Sequence, residues 1–475
     1  MRPFSPSTTA SGLLARLAWP LGLLMAACTA LFSVGSLAQE GAKPYQTILP
    51  NGLKVVVQED HRSPTVVHMV WYRVGAIDEV DGSSGLAHVL EHLMFKGTRT
   101  LKPGEFNDRV AKAGGRDNAF TSQDYTAYFQ QIPKAALPQM MALEADRMAN
   151  LQFANAEFDK EIQVVMEERR WRTDDQPQAL VHEALMSSAF VEHPYRRPVI
   201  GWMRDLENMT ANDAREWYRR WYHPNNAVVV VVGDVQHEAV FAEARRTYGK
   251  IRAATLPTAK PLGEPPQQGI RRVSVKAPAK LPYLAMAWKV PKLSDVNKDR
   301  EAYALEVLAA VLDGHEAARL GRDLVRAQKV AVSAGAGYDG TQRGEALFYL
   351  DGTPSEGHSV VELEAALRTA VREIAERGVT EQELSRVKVQ MVASQVYKRD
   401  STMGLAMEIG GAEMTGLGWQ NINRVLEQLR SVTPAEVQAV AKKYLVDDQL
   451  TVAVLDPQPV DPNAKPRERP AGLLH

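Results

Sequence analysis

The chain has 475 residues, 45% of them hydrophobic, enough to bury a large core and too many for one compact domain. Its 56 basic and 57 acidic residues leave a formal charge of −1, with no long block of one sign, so nothing in the charge pattern calls for nucleic acid. The single cysteine, Cys28, excludes a disulfide framework.

From the start of the chain, Arg2 and Arg16 precede the apolar run "LAWPLGLLMAACTALFSVGSLA", which ends in the small residues Ser36 and Ala38. Residues 1–38 therefore read as a secretory signal cleaved after Ala38, which would send the chain to the periplasm or beyond. Cys28 lies inside this run, so the mature chain would carry no thiol. A lipid on Cys28 of "LMAAC" and a retained membrane anchor are the alternatives. The mature chain then alternates strands and helices. "LKVVVQED", "TVVHMVWYRVGA", "YTAYFQQIP" and "NAVVVVVGDV" have the β-branched and aromatic content of strands, and helical periodicity fills the segments between them.

The stretch "SSGLAHVLEHLMFKGT" (83–98) places His88, Glu91 and His92 at i, i+3 and i+4, on one face of a helix. Two imidazoles one turn apart suit a single zinc ion, and Glu91 beside them can take a proton from water on it. A third ligand is expected from "EFDKEIQVVMEERRWR". Glu161 and Glu168 fall near the side of that helix carrying Val164 and Val165, whereas Glu167 points largely away. Glu168 is therefore chosen as ligand. Glu161, two turns earlier, could accept a bond from a ligand histidine and fix its tautomer.

Further on, residues 253–268 ("AATLPTAKPLGEPPQQ") are Pro-rich and read as a linker, and 457–475 as a solvated tail. The stretches between them look related. "MTANDAREWYRRWYHPNNAVVVVVGDV" aligns with "VTPAEVQAVAKKYLVDDQLTVAVLDP" from Thr210 on Thr433, and Met69-Val70-Trp71 matches Met286-Ala287-Trp288. The offset of that second match sets Leu305, Leu308 and Ala309 opposite His88, Glu91 and His92. Two homologous domains are expected, 39–252 with the polar trio and 269–456 without it.

Taken together, "HVLEH", 75 intervening residues and the final glutamate of "VVMEE" resemble the inverted zinc-binding signature of the pitrilysin/insulysin metallopeptidases, the inverzincins. "GGRDNAFTSQDYTAYF" (114–129) and "HPNNAVVVVVGDV" are similar to further segments of that family. The resemblance implies an α+β fold of the processing-peptidase kind, two homologous domains that each back an antiparallel sheet with helices. It also implies zinc-dependent endopeptidase cleavage of peptides, with one Zn2+ per chain held by His88, His92 and Glu168, Glu91 as base and Glu161 behind a ligand histidine. Asn118 and Ala119 would lie on an edge strand to which an extended peptide adds, with Phe120 giving apolar surface near the scissile bond.

One feature departs from the family. Its complete enzymes supply an arginine followed seven residues later by a tyrosine, but seven residues beyond Arg322 and Arg326 stand Lys329 and Ser333. Tyr338 is further along and is left unassigned. A homologous partner subunit that carries the pair is therefore expected, as a heterodimer or alternatively a homodimer. The competing reading is an inactive or scaffold subunit of such a complex, against which the intact Glu91 stands.

Overall fold

In the computed structural model, residues 43–258 and 263–461 are described. The expected signal segment with Cys28 lies outside them, as does most of the expected tail. Two sheets organise the chain, one in each half of the sequence. The first contains β1 (Tyr45–Ile48), β2 (Lys54–Glu59), β3 (Thr65–Tyr72), β4 (Arg116–Thr121), β5 (Thr126–Pro133) and β6 (Ala227–Gly233), in the order β1-β2-β6-β3-β5-β4. The second contains β7 (Arg271–Pro278), β8 (Tyr283–Val290), β9 (Ala331–Tyr338), β10 (Ala346–Pro354) and β11 (Leu450–Gln458), in the order β7-β11-β8-β10-β9.

The two orders superimpose when β2, β6, β3, β5 and β4 are read against β7, β11, β8, β10 and β9, which is the internal repeat. Both halves lead into their central strand in the same way. Thr210 and Thr433 cap the helices Ala211–Trp221 and Pro434–Tyr444 with reciprocal capping boxes, to Asp213 and Glu436 respectively. The sheets are not wholly antiparallel as expected, because β2 runs parallel to β6 and β7 parallel to β11. Most of each half intervenes between those partners, which supplies the long crossover that a parallel pair needs.

Central strands that are apolar on both faces must be covered on both. In β6, Val229 and Val231 join the core beneath the helices of the first half, while Val228, Val230 and Val232 face a second layer. That second layer comes from the other half. Ala406, Ile409 and Met414 of the helix Thr402–Thr415 pack there with Val67, Met69 and Trp71 of β3. Reciprocally, Val181, Leu185 and Ala189 of the helix Pro177–Ala189 cover Ala285, Ala287, Ala453 and Leu455 of the second sheet. A fully buried aliphatic side chain of this size contributes about 1.5–3 kcal/mol, so neither half buries its sheet alone. The contact is close: a Cβ built on Gly410 would stand 2.0 Å from Trp71 Cε2, so only glycine fits beneath the indole.

Within the stretch expected to be a linker, Glu264 and Gln267 are bonded to both halves. The Glu264 carboxylate, 3% exposed, accepts the backbone N–H groups of Val191, Glu192 and His193 and pairs with Lys289 Nζ at 2.8 Å. Gln267 donates to the Leu450 carbonyl at 2.7 Å. At the other end, β11 extends two residues into the expected tail, to Gln458.

Burial alone would raise the Glu264 pKa, but Lys289 and the three N–H groups outweigh it and hold the group at about 2, against 4.5 for a free glutamate. Its stabilising contribution is thus complete above the unfolded pKa and lost as pH falls towards the folded one. Glu264→Ala should destabilise the chain by about 2–3 kcal/mol at neutral pH. In denaturant titrations, the difference from the parent chain should shrink between pH ~5 and pH ~2.

Candidate active site

The helix Leu86–Leu93 is buried along its whole length and carries three ionisable groups: His88 is 6% exposed, Glu91 and His92 0%. Its N-terminus starts at Gly85, whose φ of 87° and close approach to the Ile200 carbonyl require glycine. No side chain at that position can cap the helix, so Glu79 does it from outside, accepting the N–H groups of Gly85 at 3.0 Å and Ala87 at 2.8 Å.

The imidazoles of His88 and His92 lie edge to face, with centroids 4.7 Å apart. The helix Asn155–Arg169 brings Glu168 against them, its Oε2 3.7 Å from His88 Nε2 and 3.4 Å from His92 Nε2. Glu168 is fully buried and its Oε2 has no hydrogen bond among the described residues, a costly state for a carboxylate oxygen in a core. Tetrahedral zinc with bonds of about 2.0–2.1 Å keeps ligand atoms about 3.3–3.4 Å apart. The donor set of two imidazole nitrogens and one carboxylate oxygen therefore fits such an ion in both type and spacing. Neighbouring Glu167 is on the outer side of the helix, 44% exposed and paired with Arg170.

Around this group the fold sets three supports. Glu161 Oε1 is 3.0 Å from His92 Nδ1, so an Nδ1–H donating there leaves Nε2 facing Glu168. Lys96 Nζ reaches the other oxygen of Glu161 at 2.5 Å. Arg172, in the π-helical turn that continues the second helix, holds Glu168 Oε1 at 3.0 Å. Burial opposes charge on His92, but Glu161, Glu168 and Glu91 lift its pKa to about 9. Burial also opposes charge on Glu168, and the two histidines with Arg172 hold it at about 2. A proton and a cation thus compete for the same nitrogen.

β4 forms the edge of the first sheet and passes beside Glu91. Thr121, its last residue, donates from Oγ1 to Glu91 Oε2 at 2.5 Å. Strand alternation puts Ala119 on the same face as Thr121, where it is 1% exposed in the core of the first half. Asn118 Oδ1 accepts the Ala119 N–H at 2.9 Å. Phe120 points to the opposite face, edge to face with Trp71 at 5.5 Å and packed with Tyr125 and Phe129. Its ring supports the strand from the far layer and is not beside Glu91.

Sequence reasoning missed Thr121, Lys96 and Arg172. For Arg172 the signal was present, since it lies four residues beyond Glu168, one turn along the helical continuation, whereas Lys96 lies past the end of its helix at Leu93. Thr121 was visible only through the alternation of "NAFT". In the second half, Leu305, Leu308 and Ala309 are buried core residues, so that half has the scaffold without the polar trio. Arg322 pairs with Asp323, Arg326 donates to the Glu316 carbonyl and Tyr338 to the Pro291 carbonyl, so each is already engaged locally. A second group, Glu59, His237 and Glu238, has ligand-like spacing. There each ring nitrogen of His237 meets a different carboxylate, Nδ1 Glu59 at 2.8 Å and Nε2 Glu238 at 2.9 Å, which is an ion-pair network.

Two family descriptions match the chain, "Insulinase (Peptidase family M16)" over residues 54–202 and "Peptidase M16 inactive domain" over 208–391. The zinc protease PqqE of Helicobacter pylori is 32% identical over 417 residues, 86% of this chain and 92% of that protein. The crystal structure of a protease from H. pylori superimposes with a TM-score of 0.83 at 31% identity, covering 87% of this chain and all of that one. The periplasmic protease PqqL of Escherichia coli shares the fold, with a TM-score of 0.75 at 19% identity, but 88% of this chain covers only 49% of it. With the buried His-His-Glu group in the half that matches the peptidase description and an apolar counterpart in the other, the chain belongs to the M16, or pitrilysin, family of zinc peptidases.

Proposed function

We propose that this chain is a zinc-dependent endopeptidase, with His88, His92 and Glu168 as metal ligands and Glu91 as general base. The observation that carries this is Glu91 itself. A fully buried carboxylate one residue from a metal ligand, held by Thr121 and kept out of the ligand set, has no structural need to be acidic. When bound, zinc would supply Lewis acidity, polarising a carbonyl and lowering the pKa of water to about 7. Glu91 then takes the proton from the attacking water and returns it to the leaving amine, while Thr121 holds Oε2 and fixes the carboxylate plane. Glu161 keeps His92 in one tautomer, and Lys96 limits how far Glu161 draws the Nδ1 proton. The peptide adds to β4 as a further strand beside Asn118 and Ala119, which selects extended main chain more than sequence. Phe120 can meet it only from the opposite face.

Two further parts of the reading concern setting. A homologous subunit that supplies an Arg/Tyr pair is proposed, because the local arginines are engaged elsewhere and the E. coli relative of the same fold is about twice as long. Periplasmic or secreted location is proposed from residues 1–38. Among the described residues no helix is long and apolar enough to cross a membrane. The domain limits 39–252 and 269–456 are kept as sequence halves.

The test is metal content together with cleavage of a quenched peptide. Purified chain should hold one zinc, lost in His88→Ala and Glu168→Ala and retained in Glu167→Ala. Glu91→Gln should retain zinc and lose turnover by at least ~10²-fold, with Thr121→Val intermediate. A Glu91→Gln chain that cleaves at the parental rate would remove Glu91 from the mechanism. Adding a homologous subunit with the Arg/Tyr pair should raise kcat more than it lowers KM, because an oxyanion donor acts mainly in the transition state. Full activity of a chain shown by light scattering to be monomeric would refute that partner. N-terminal sequencing of protein recovered from the periplasm should begin at Gln39, and a start at Met1 would exclude the signal.

A further inference from the structure

The metal helix and the β4–β5 hairpin meet at one short strap, residues 75–79, which contains the 3-10 turn Ala76–Asp78. Glu79 caps the metal helix through Gly85 and Ala87. The N–H groups of Ala76 and Ile77 donate to the carbonyls of Ser122 and Gln123, at 3.2 and 2.8 Å, in the hairpin turn that directly follows Thr121. The strap therefore sets the position of both the helix that carries Glu91 and the strand end that holds it.

The other acidic side chain of the strap, Asp78, is gripped from the second half. Arg343, in the β9–β10 loop, makes a two-point pair with it, NH1 to Oδ2 and NH2 to Oδ1, each 2.8 Å. The same guanidinium donates to the Asp124 carbonyl in the hairpin turn, and the Arg343 N–H to Asp124 Oδ2, both at 2.9 Å. Tyr195 closes the arrangement, donating to Asp124 Oδ1 and accepting from the Gly344 N–H at 2.9 Å. Asp124 and Tyr195 are 5% and 2% exposed, so the hairpin turn is clamped in a dry setting where such bonds are strong. Gly344 permits the approach, since a Cβ there would come within 2.4 Å of His193 Cε1.

We propose that Arg343 is a positioning residue for the metal-bearing half: by joining Asp78 of the strap to Asp124 of the hairpin turn, it fixes Thr121 against Glu91. The half without ligands thus acts on the reaction through one guanidinium. Lysine cannot replace it, because a single ammonium cannot grip both carboxylate oxygens and the Asp124 carbonyl in one plane. The catalytic part of this inference rests on the peptidase reading above; the positional part does not.

The experiment compares Arg343→Ala, Arg343→Lys and a control, Lys54→Met, in the mature chain. Lys54 pairs with Glu413 at 2.8 Å and so also ties the two halves, but it shares no bond with residues 75–79 or 122–125. Hydrogen exchange of the Ala76, Ile77 and Tyr125 amides should quicken at least ~10-fold in both Arg343 variants, with zinc content kept, and stay unchanged in Lys54→Met. In the peptidase assay the Arg343 variants should lose about 10- to 100-fold in kcat, as a misplacement of about 1 Å does, and Lys54→Met should not. If Arg343→Ala does not fold, Arg343→Lys carries the comparison. Unchanged exchange in Arg343→Lys, or equal acceleration in Lys54→Met, overturns the proposal. A parent chain with no peptidase activity even with a homologous Arg/Tyr subunit added would sink the functional reading and leave the exchange result to decide the positioning role.

Discussion

The structure is organised around the burial of charge next to a valine-rich sheet. His88, Glu91, His92 and Glu168 are nearly or wholly inaccessible in the core of the first half. An ion removed from water costs several kcal/mol unless a partner or a metal compensates it. The surrounding polar groups meet that demand one at a time: Glu161 and Lys96 behind His92, Arg172 behind Glu168, Thr121 on Glu91. What remains is a gap between two imidazole nitrogens and one carboxylate oxygen, whose spacing and chemistry suit a zinc ion.

That core exists only because the chain carries its fold twice. Each sheet has a central strand that is apolar on both faces, and each half lends the other one helix to cover the second face. Trp71 against Gly410 shows how tight that arrangement is. The counterpart of the helix Leu86–Leu93, with Leu305, Leu308 and Ala309, packs as ordinary core. The repeat has therefore kept its architectural positions and confined this polar trio to one copy, within the span 54–202 that matches the peptidase description, while its apolar counterpart falls within the span 208–391 that matches the inactive domain.

The ligand-free half is not confined to structural cover. Through Lys289 it pairs with the pinned Glu264 of the connection, which holds the backbone at Val191–His193 close to Tyr195, and through Arg343 it reaches the strap that caps the helix Leu86–Leu93. Both contacts are charged groups bound by several converging donors or acceptors, the arrangement in which a buried ion is stabilising and geometrically specific.

The sequence by itself determined which side chains share a helical face and that the chain repeats. Spacing of three and four residues fixed His88, Glu91 and His92 on one helical face, and the same periodicity separated Glu168 from Glu167. β-branched runs marked β2, β3, β5 and β6, and the matched threonines Thr210 and Thr433 marked the two capped helices. These features were legible because they depend on local geometry, which repeats every turn or every second residue. Tertiary structure alone decided the rest. The helices lent between halves, the parallel pairs in each sheet, the pinning of Glu264 and the reach of Arg343 to Asp78 join residues tens to hundreds apart in sequence. A pairing set by chain topology and packing leaves no period in the sequence, so only the folded chain could show which charge met which.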